Sequence, residues 1–264
     1  MPPVALQARP ATGLIDTGLV ILRRRYWDLF VAELIPAFPF LVLALFVSSK
    51  AYGYVRLGEA LAAPVAIGIV SCLVSQEFTG NTVALGDAIR RGVRRAPGLI
   101  GVWLLSGLSV ALGLIGLIVG GFVAAALMYT AVPVYALEDV RANDAIDRSI
   151  ALARGNVMHV LGVLLGALLG YWIVYYPAAF AITWGWRAAS HHGYIPVRVE
   201  TLVLTFAYLA ILPLPHVFPA VVYYDLRVRR EGMDIETMAA ALHDAPPAPP
   251  ADASPPNAPE ANPA

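Results

Sequence analysis

Four ionisable residues stand inside otherwise apolar runs: Glu33, Glu77, His159 and His216. A charged side chain in a hydrocarbon setting is costly, so it marks a candidate site. Carboxylates and imidazoles in such places relay protons or hold a polar ligand. Glu33, Glu77 and His159 fall at similar shallow depth in their runs and are expected to converge on one polar pocket, with Arg154 beside them. The plainer alternative is that each pairs locally or reaches the headgroups. His216 sits in Pro213-Leu214-Pro215-His216-Val217-Phe218-Pro219, where three prolines interrupt a helix. Broken helices line transport sites, but they also persist where neighbouring helices re-satisfy the backbone.

Soluble-enzyme chemistry finds no footing. The chain has no H-E-x-x-H pair and no G-x-x-x-x-G-K-[ST] phosphate loop. Ser106-Gly107 lacks an evident histidine partner, and His191–His192 lacks a third metal ligand. Cys72 is the single cysteine, so no intrachain disulfide forms, and it reads as a small buried thiol. No catalytic residue, cofactor, metal or nucleic-acid partner is expected.

The elements that position the four residues are helices in a membrane. The chain of 264 residues is 59% hydrophobic and 14% charged, with mean hydropathy +0.69. Soluble domains run at about 45–50% apolar and about 25% charged. A span needs about 20 apolar residues, which places spans near 29–48, 59–78, 97–117, 120–137, 157–180 and 201–223. The block Pro97 to Leu137 would make a helix of about 60 Å, twice the hydrocarbon thickness, so it must fold back. Gly120–Gly121 is the expected turn. The fold class predicted is all-α, a polytopic six-span bundle with interfacial amphipathic helices.

Basic residues orient it. With the N-terminus inside, 14 of 18 basic residues face the cytoplasm, leaving Lys50, Arg56, Arg187 and Arg198 outside. Both termini are then cytoplasmic. All basic residues but Lys50 are Arg, which with abundant Ala and Gly suggests a GC-rich bacterial genome and an inner membrane. Residues 1–13 read as a flexible N-terminus without a cleavable signal. The six-span domain covers 14–240, and the Pro/Ala-rich tail 241–264 is expected to be disordered.

Asp87-Ala88-Ile89-Arg90-Arg91-Gly92-Val93 matches Asp144-Ala145-Ile146-Asp147-Arg148-Ser149-Ile150, each just before a span. Both read as amphipathic helices in the arginine-rich interface, able to meet anionic headgroups. Asp87 and Arg91, like Asp144 and Arg148, stand i,i+4 with the acid first. A weaker third copy starts at Asp16, which gives three units of interfacial helix plus hairpin. Gly162, Gly166 and Gly170, and the pair Gly116 and Gly120, suit close helix packing, either within the bundle or between copies.

The stretch Tyr223-Tyr224-Asp225-Leu226-Arg227-Val228-Arg229-Arg230-Glu231-Gly232-Met233-Asp234-Ile235-Glu236 resembles the closing signature of the membrane domain associated with glycerophosphoryl diester phosphodiesterases. Pro133-Val134 to Glu138, then Ala145-Ile146-Asp147-Arg148-Ser149 to Gly155, resembles that family's central motif. The similarity spans about 14–240. It implies a polytopic membrane domain and no phosphodiesterase activity, since that activity belongs to a separate barrel domain, which these residues do not contain. Where the resemblance implies a Pro-Gly turn in the hairpin, this chain has Gly120–Gly121. Tyr224, Asp225, Arg227 and Arg229 are expected to lock the exit of the last span. The sequence favours a non-enzymatic membrane-assembly or lipid-associated accessory, with a membrane protein partner or a second copy. The alternative is a small-solute transporter or channel.

Overall fold

The computed structural model describes residues 7–46, 52–189 and 197–233; Lys50, His191–His192 and the expected tail lie outside the described residues. Within them are α1 (Ala11–Phe46), α2 (Tyr52–Thr79), α3 (Leu85–Arg94), α4 (Ala96–Gly116) and α5 (Ile118–Met128). They continue as α6 (Ala131–Leu137), α7 (Ala142–Ala153), α8 (Val157–Ala189), α9 (Val197–Ile211) and α10 (Pro213–Glu231). No strand occurs among the described residues. Six stretches are long and apolar enough to cross a membrane: Ala11–Ala44, Gly53–Thr79, Ala96–Gly116, Ile118–Leu137, Val157–Ala188 and Leu202–Glu231.

These spans form three units. Each opens on an amphipathic helix and continues as a two-span hairpin. In the first unit the amphipathic helix is the start of α1, which bends at Arg25, where φ −122° and ψ 25° leave the helical region. Helix α1 begins at Ala11, ahead of the expected residue 14, and Arg9 before it is held by Asp225. In the second and third units the opening helices are α3 and α7.

Each amphipathic helix beds against the second span of the preceding unit, and a small residue makes the approach. Gly92 of α3 meets Ile69 of α2 so closely that a Cβ there would strike it. Ser149 of α7 donates to the Leu127 carbonyl at 2.8 Å and shares a hydrogen bond with Thr130 at 2.9 Å. Gly18 of α1 lies against the Phe218 ring of α10. The third unit therefore returns onto the first and closes a ring. Gly18, and not Ile21, stands where Gly92 and Ser149 stand, so the first copy starts earlier than an alignment on Asp16 implies.

Helix α2 is the hub: 67% of its most apolar stretch is buried, against 11% of α4. An exposed apolar helix costs nothing in lipid, where the tails are as apolar as Leu.

The hairpin turns at Leu117, extended at φ −162° and ψ 129°, and not at Gly120–Gly121. Those two glycines lie inside α5, where a Cβ on Gly113 would come within 2.9 Å of the Gly120 carbonyl. Their role is close approach across the hairpin, which requires them to be helical, whereas an extended turn residue needs no glycine. Gly116 has open space around it and is not the partner of Gly120. The stripe on α8 is filled from within. A Cβ on Gly162 would lie 3.7 Å from the Ala11 side chain, one on Gly166 2.8 Å from Ile15, and one on Gly170 4.0 Å from Leu214.

Two spans are interrupted in equivalent places, as the second spans of their units. The fourth breaks at Tyr129–Thr130, between α5 and α6. The carbonyl exposed there, that of Leu127, is satisfied by Ser149. The sixth is interrupted at Leu212 in its hydrogen-bond ladder, although Leu212 itself keeps helical φ −56° and ψ −33°, and Pro213 opens α10 at a position where its missing N–H is not needed.

Candidate functional site

Helices α2, α4, α5, α8 and α10 each touch the next and close a ring. The ring encloses a chamber of about 400 Å³. Its wall is mainly apolar, with Ile67, Val110, Met128, Leu164, Leu168 and Pro219 among the lining side chains. The polar side chains on it are Ser106, Tyr129 and His216, with the Trp103 indole. Gly107 and Leu168 on the wall are exposed, so the chamber is open to the surroundings. Both interrupted spans meet it, through Met128, Tyr129 and Val132 and through Pro215, His216 and Pro219.

His216 is backed from outside the wall. Its Nδ1 lies 2.8 Å from Glu33 Oε1, and the Glu33 side chain is 1% exposed. The pair ties the span half of α1 to α10. A buried carboxylate that fixes an imidazole sets which ring nitrogen faces outward. On α4, Ser106 Oγ is buried without a hydrogen-bond partner. That is unusual for a helical serine: Ser71 donates to the Ile67 carbonyl at 2.7 Å and Ser109 to the Leu105 carbonyl at 2.9 Å.

The four sequence candidates do not converge. Glu33 joins His216 in the bundle interior. Glu77 accepts from Arg25 Nε at 2.6 Å and pairs with Arg24 at 3.6 Å. His159 Nε2 lies 3.0 Å from Asp225 Oδ2. They form three separate pairs because the bend at Arg25 keeps Arg24 and Arg25 at the end of α2, while Glu33 is two turns further along α1.

The end of α10 forms a clasp on the arginine-rich face. Asp225 Oδ2 accepts from Arg229 Nε at 2.7 Å and meets His159, while Oδ1 accepts from the Arg9 backbone N–H at 2.9 Å. Arg229 also donates to the Arg9 carbonyl. One carboxylate thus joins α10, α8 and the start of the chain. Arg227 Nε donates to Glu231 Oε2 at 2.9 Å. Arg148 of α7 reaches Glu231 at 2.5 Å and Glu138 at 3.0 Å, and Tyr223 Oη–H donates to Glu138 at 2.9 Å. Burial would lower the pKa of Arg148; the hydrogen bonds to Glu138 and Glu231 and their charges outweigh it and hold that pKa above its ordinary value. Tyr224 stacks on Phe78 of α2 with centroids 4.6 Å apart.

The i,i+4 pairs expected within α3 and α7 give way to contacts with other helices. Arg91 donates to the Leu137 carbonyl at 3.2 Å, and Arg148 turns from Asp144 to the two glutamates. Among the described residues no group of three or more His, Cys, Asp or Glu side chains could hold a metal ion.

Sequence reasoning missed Ser106 as a chamber residue and the pairing of Glu33 with His216, far apart in the chain. It missed Glu138 and Glu231 as partners of Arg148. The signal for the chamber was present in part: both interrupted spans are second spans of their units, and His216 sits beside one interruption. No protein-family model, curated protein or solved structure matches the chain.

Proposed function

We propose that this multi-pass membrane protein is a non-enzymatic, lipid-associated accessory that holds an apolar chain in its chamber. The observation that carries this reading is the mainly apolar wall of a chamber of about 400 Å³, open to its surroundings and ringed by five helices. At about 30 Å³ for a group the size of water, such a space holds roughly a dozen methylene-sized groups. Apolar pockets with a few convergent polar groups are the usual form of a small-molecule site.

In this reading the arginine-rich face is cytoplasmic, both termini are inside, and the membrane is a bacterial inner membrane. The arginines of α3, α7 and the end of α10 meet anionic headgroups, each worth about 1 kcal/mol near such a surface. The resemblance of 223–236 to the membrane domain associated with glycerophosphoryl diester phosphodiesterases supports a shared membrane architecture without the barrel activity. A membrane protein partner or a second copy would dock on the exposed apolar side of α4 or α8.

A second reading is small-solute transport. It is favoured by the two interruptions, at Tyr129–Thr130 and Leu212, both beside the chamber. Mass spectrometry of the protein purified gently from its own membrane separates the readings. A retained single-chain molecule supports the accessory, and a protein that emerges without lipid but moves a solute in vesicles supports the transporter.

A further inference from the structure

We infer that the cleft where the end of α10 meets the link from α7 to α8 holds the phosphate group of one anionic lipid; this rests on the reading that the arginine-rich face lies at the headgroups. The cleft is open, has a volume of about 550 Å³ and is lined by Ala8, Gly155, Asn156, Arg229 and Arg230, with no carboxylate among the described residues on its wall. Arg230 is exposed and makes no hydrogen bond or ion pair among the described residues. Its guanidinium lies against the bare face of Gly155, whose φ of +87° suits glycine and where a Cβ would come within 2.7 Å of Arg230 Nη2. Arg229 commits Nε to Asp225 and Nη2 to the Arg9 carbonyl, which leaves Nη1. The acids of this end of α10 are already held. Asp225 is met by Arg229, His159 and the Arg9 N–H, and Glu231 by Arg148 and Arg227.

A cleft walled by donors and cations takes an anion that accepts several hydrogen bonds at once. Arg230 offers a whole guanidinium fork, which matches two phosphate oxygens, and Arg229 adds Nη1. The Asn156 amide, which has no partner among the described residues, adds a neutral donor. The occupant is a lipid because the first turn of α8 beside the cleft carries Met158, apolar and 81% exposed, which suits an acyl chain and not water. Arg94 of α3 is likewise exposed and unpaired among the described residues but is not on the cleft wall, so it reports the general attraction of the face.

The test places the full chain in nanodiscs of phosphatidylcholine with a rising share of phosphatidylglycerol and counts retained lipids by native mass spectrometry. The expected result is one phosphatidylglycerol held per protein in preference to phosphatidylcholine. Arg230→Gln should raise the share needed for half occupancy about tenfold. Arg230→Lys, which keeps the charge and loses the fork, should fall between the two, and Arg94→Gln should match the wild type. All three positions are exposed, so the variants should fold, and an unchanged thermal midpoint checks this. Equal losses in Arg230→Gln and Arg94→Gln would overturn the site and leave the headgroup reading of the face standing. No preference for phosphatidylglycerol in the wild type would overturn both. Inorganic phosphate, titrated calorimetrically against the protein in phosphatidylcholine alone, should bind far more weakly than the lipid. Binding as tight as the lipid's, lost in Arg230→Gln, would make the occupant a free phosphate and overturn the lipid assignment.

Discussion

Arg148 Nη1 lies 2.5 Å from Glu231 Oε1, which ties α7 of the third unit to the last turn of α10. The same guanidinium holds Glu138 at the end of α6, so one side chain joins two units. Arg148→Ala leaves Glu138 without a cation, with only the Tyr223 hydroxyl donating to it, and leaves Glu231 to Arg227 alone. The expected cost is about 2 kcal/mol, read as a lower midpoint of thermal aggregation in detergent. Asp144→Ala should leave the midpoint unchanged. Equal effects of the two substitutions would mean that the local i,i+4 pair, and not the bridge between units, carries Arg148.

Asp225 is the centre of the clasp, with its side chain 1% exposed. Removing one partner of a buried pair costs about 3–5 kcal/mol. Asp225→Asn should therefore reduce protein abundance in the membrane several-fold, and Arg229→Gln, on the more exposed partner, should reduce it less. Limited proteolysis gives a second reading. Loss of the bond to Arg9 should make the segment around Arg9 more susceptible to protease than it is in the wild type.

Closing the ring depends on Gly18. Phe218 is almost fully buried and cannot swing away, so Gly18→Val should force the start of α1 off α10. Overpacking of this kind costs about 1–3 kcal/mol. Gly166→Leu, against Ile15, should act in the same direction, while Gly116→Leu, with open space around it, should be neutral. A cross-link between cysteines placed at 11 and 162, whose Cβ atoms would lie 3.7 Å apart, should form in the wild-type background and be lost in Gly18→Val.

Orientation is tested with reporters. Fusions after residue 233 and ahead of residue 7 should both be active only as cytoplasmic reporters, and a fusion in the segment between α1 and α2 only as an external one. An external signal from either terminus would reverse the reading of the arginine-rich face.

Much of the fold was legible because its causes are local. Span length follows from the run of apolar residues, and the matched Asp-Ala-Ile stretches mark where α3 and α7 lie. What stayed hidden depends on contacts between distant segments. The turn is at Leu117 because Gly113 and Gly120–Gly121 are consumed in packing the hairpin, a use the bare glycine pattern does not distinguish from a turn. The pairing of Glu33 with His216 joins residues 183 apart in the chain and follows a bend in α1 at Arg25 that no short motif encodes. Arg148 has a carboxylate one turn away in sequence and chooses two from other helices, because tertiary packing brings Glu138 and Glu231 closer. The chamber itself is a property of five helices at once.

The most direct test of the central claim is a comparison of lipid occupancy between the wild type and Gly107→Phe. Both proteins would be purified from the same membrane, and the bound molecules measured by native mass spectrometry. The position has open space where a Cβ would go, so the substitution should leave the fold and thermal midpoint intact while filling the chamber. The account expects about one single-chain molecule per wild-type protein and a strong reduction in the variant. Equal occupancy in the two proteins, or none in either, would contradict it.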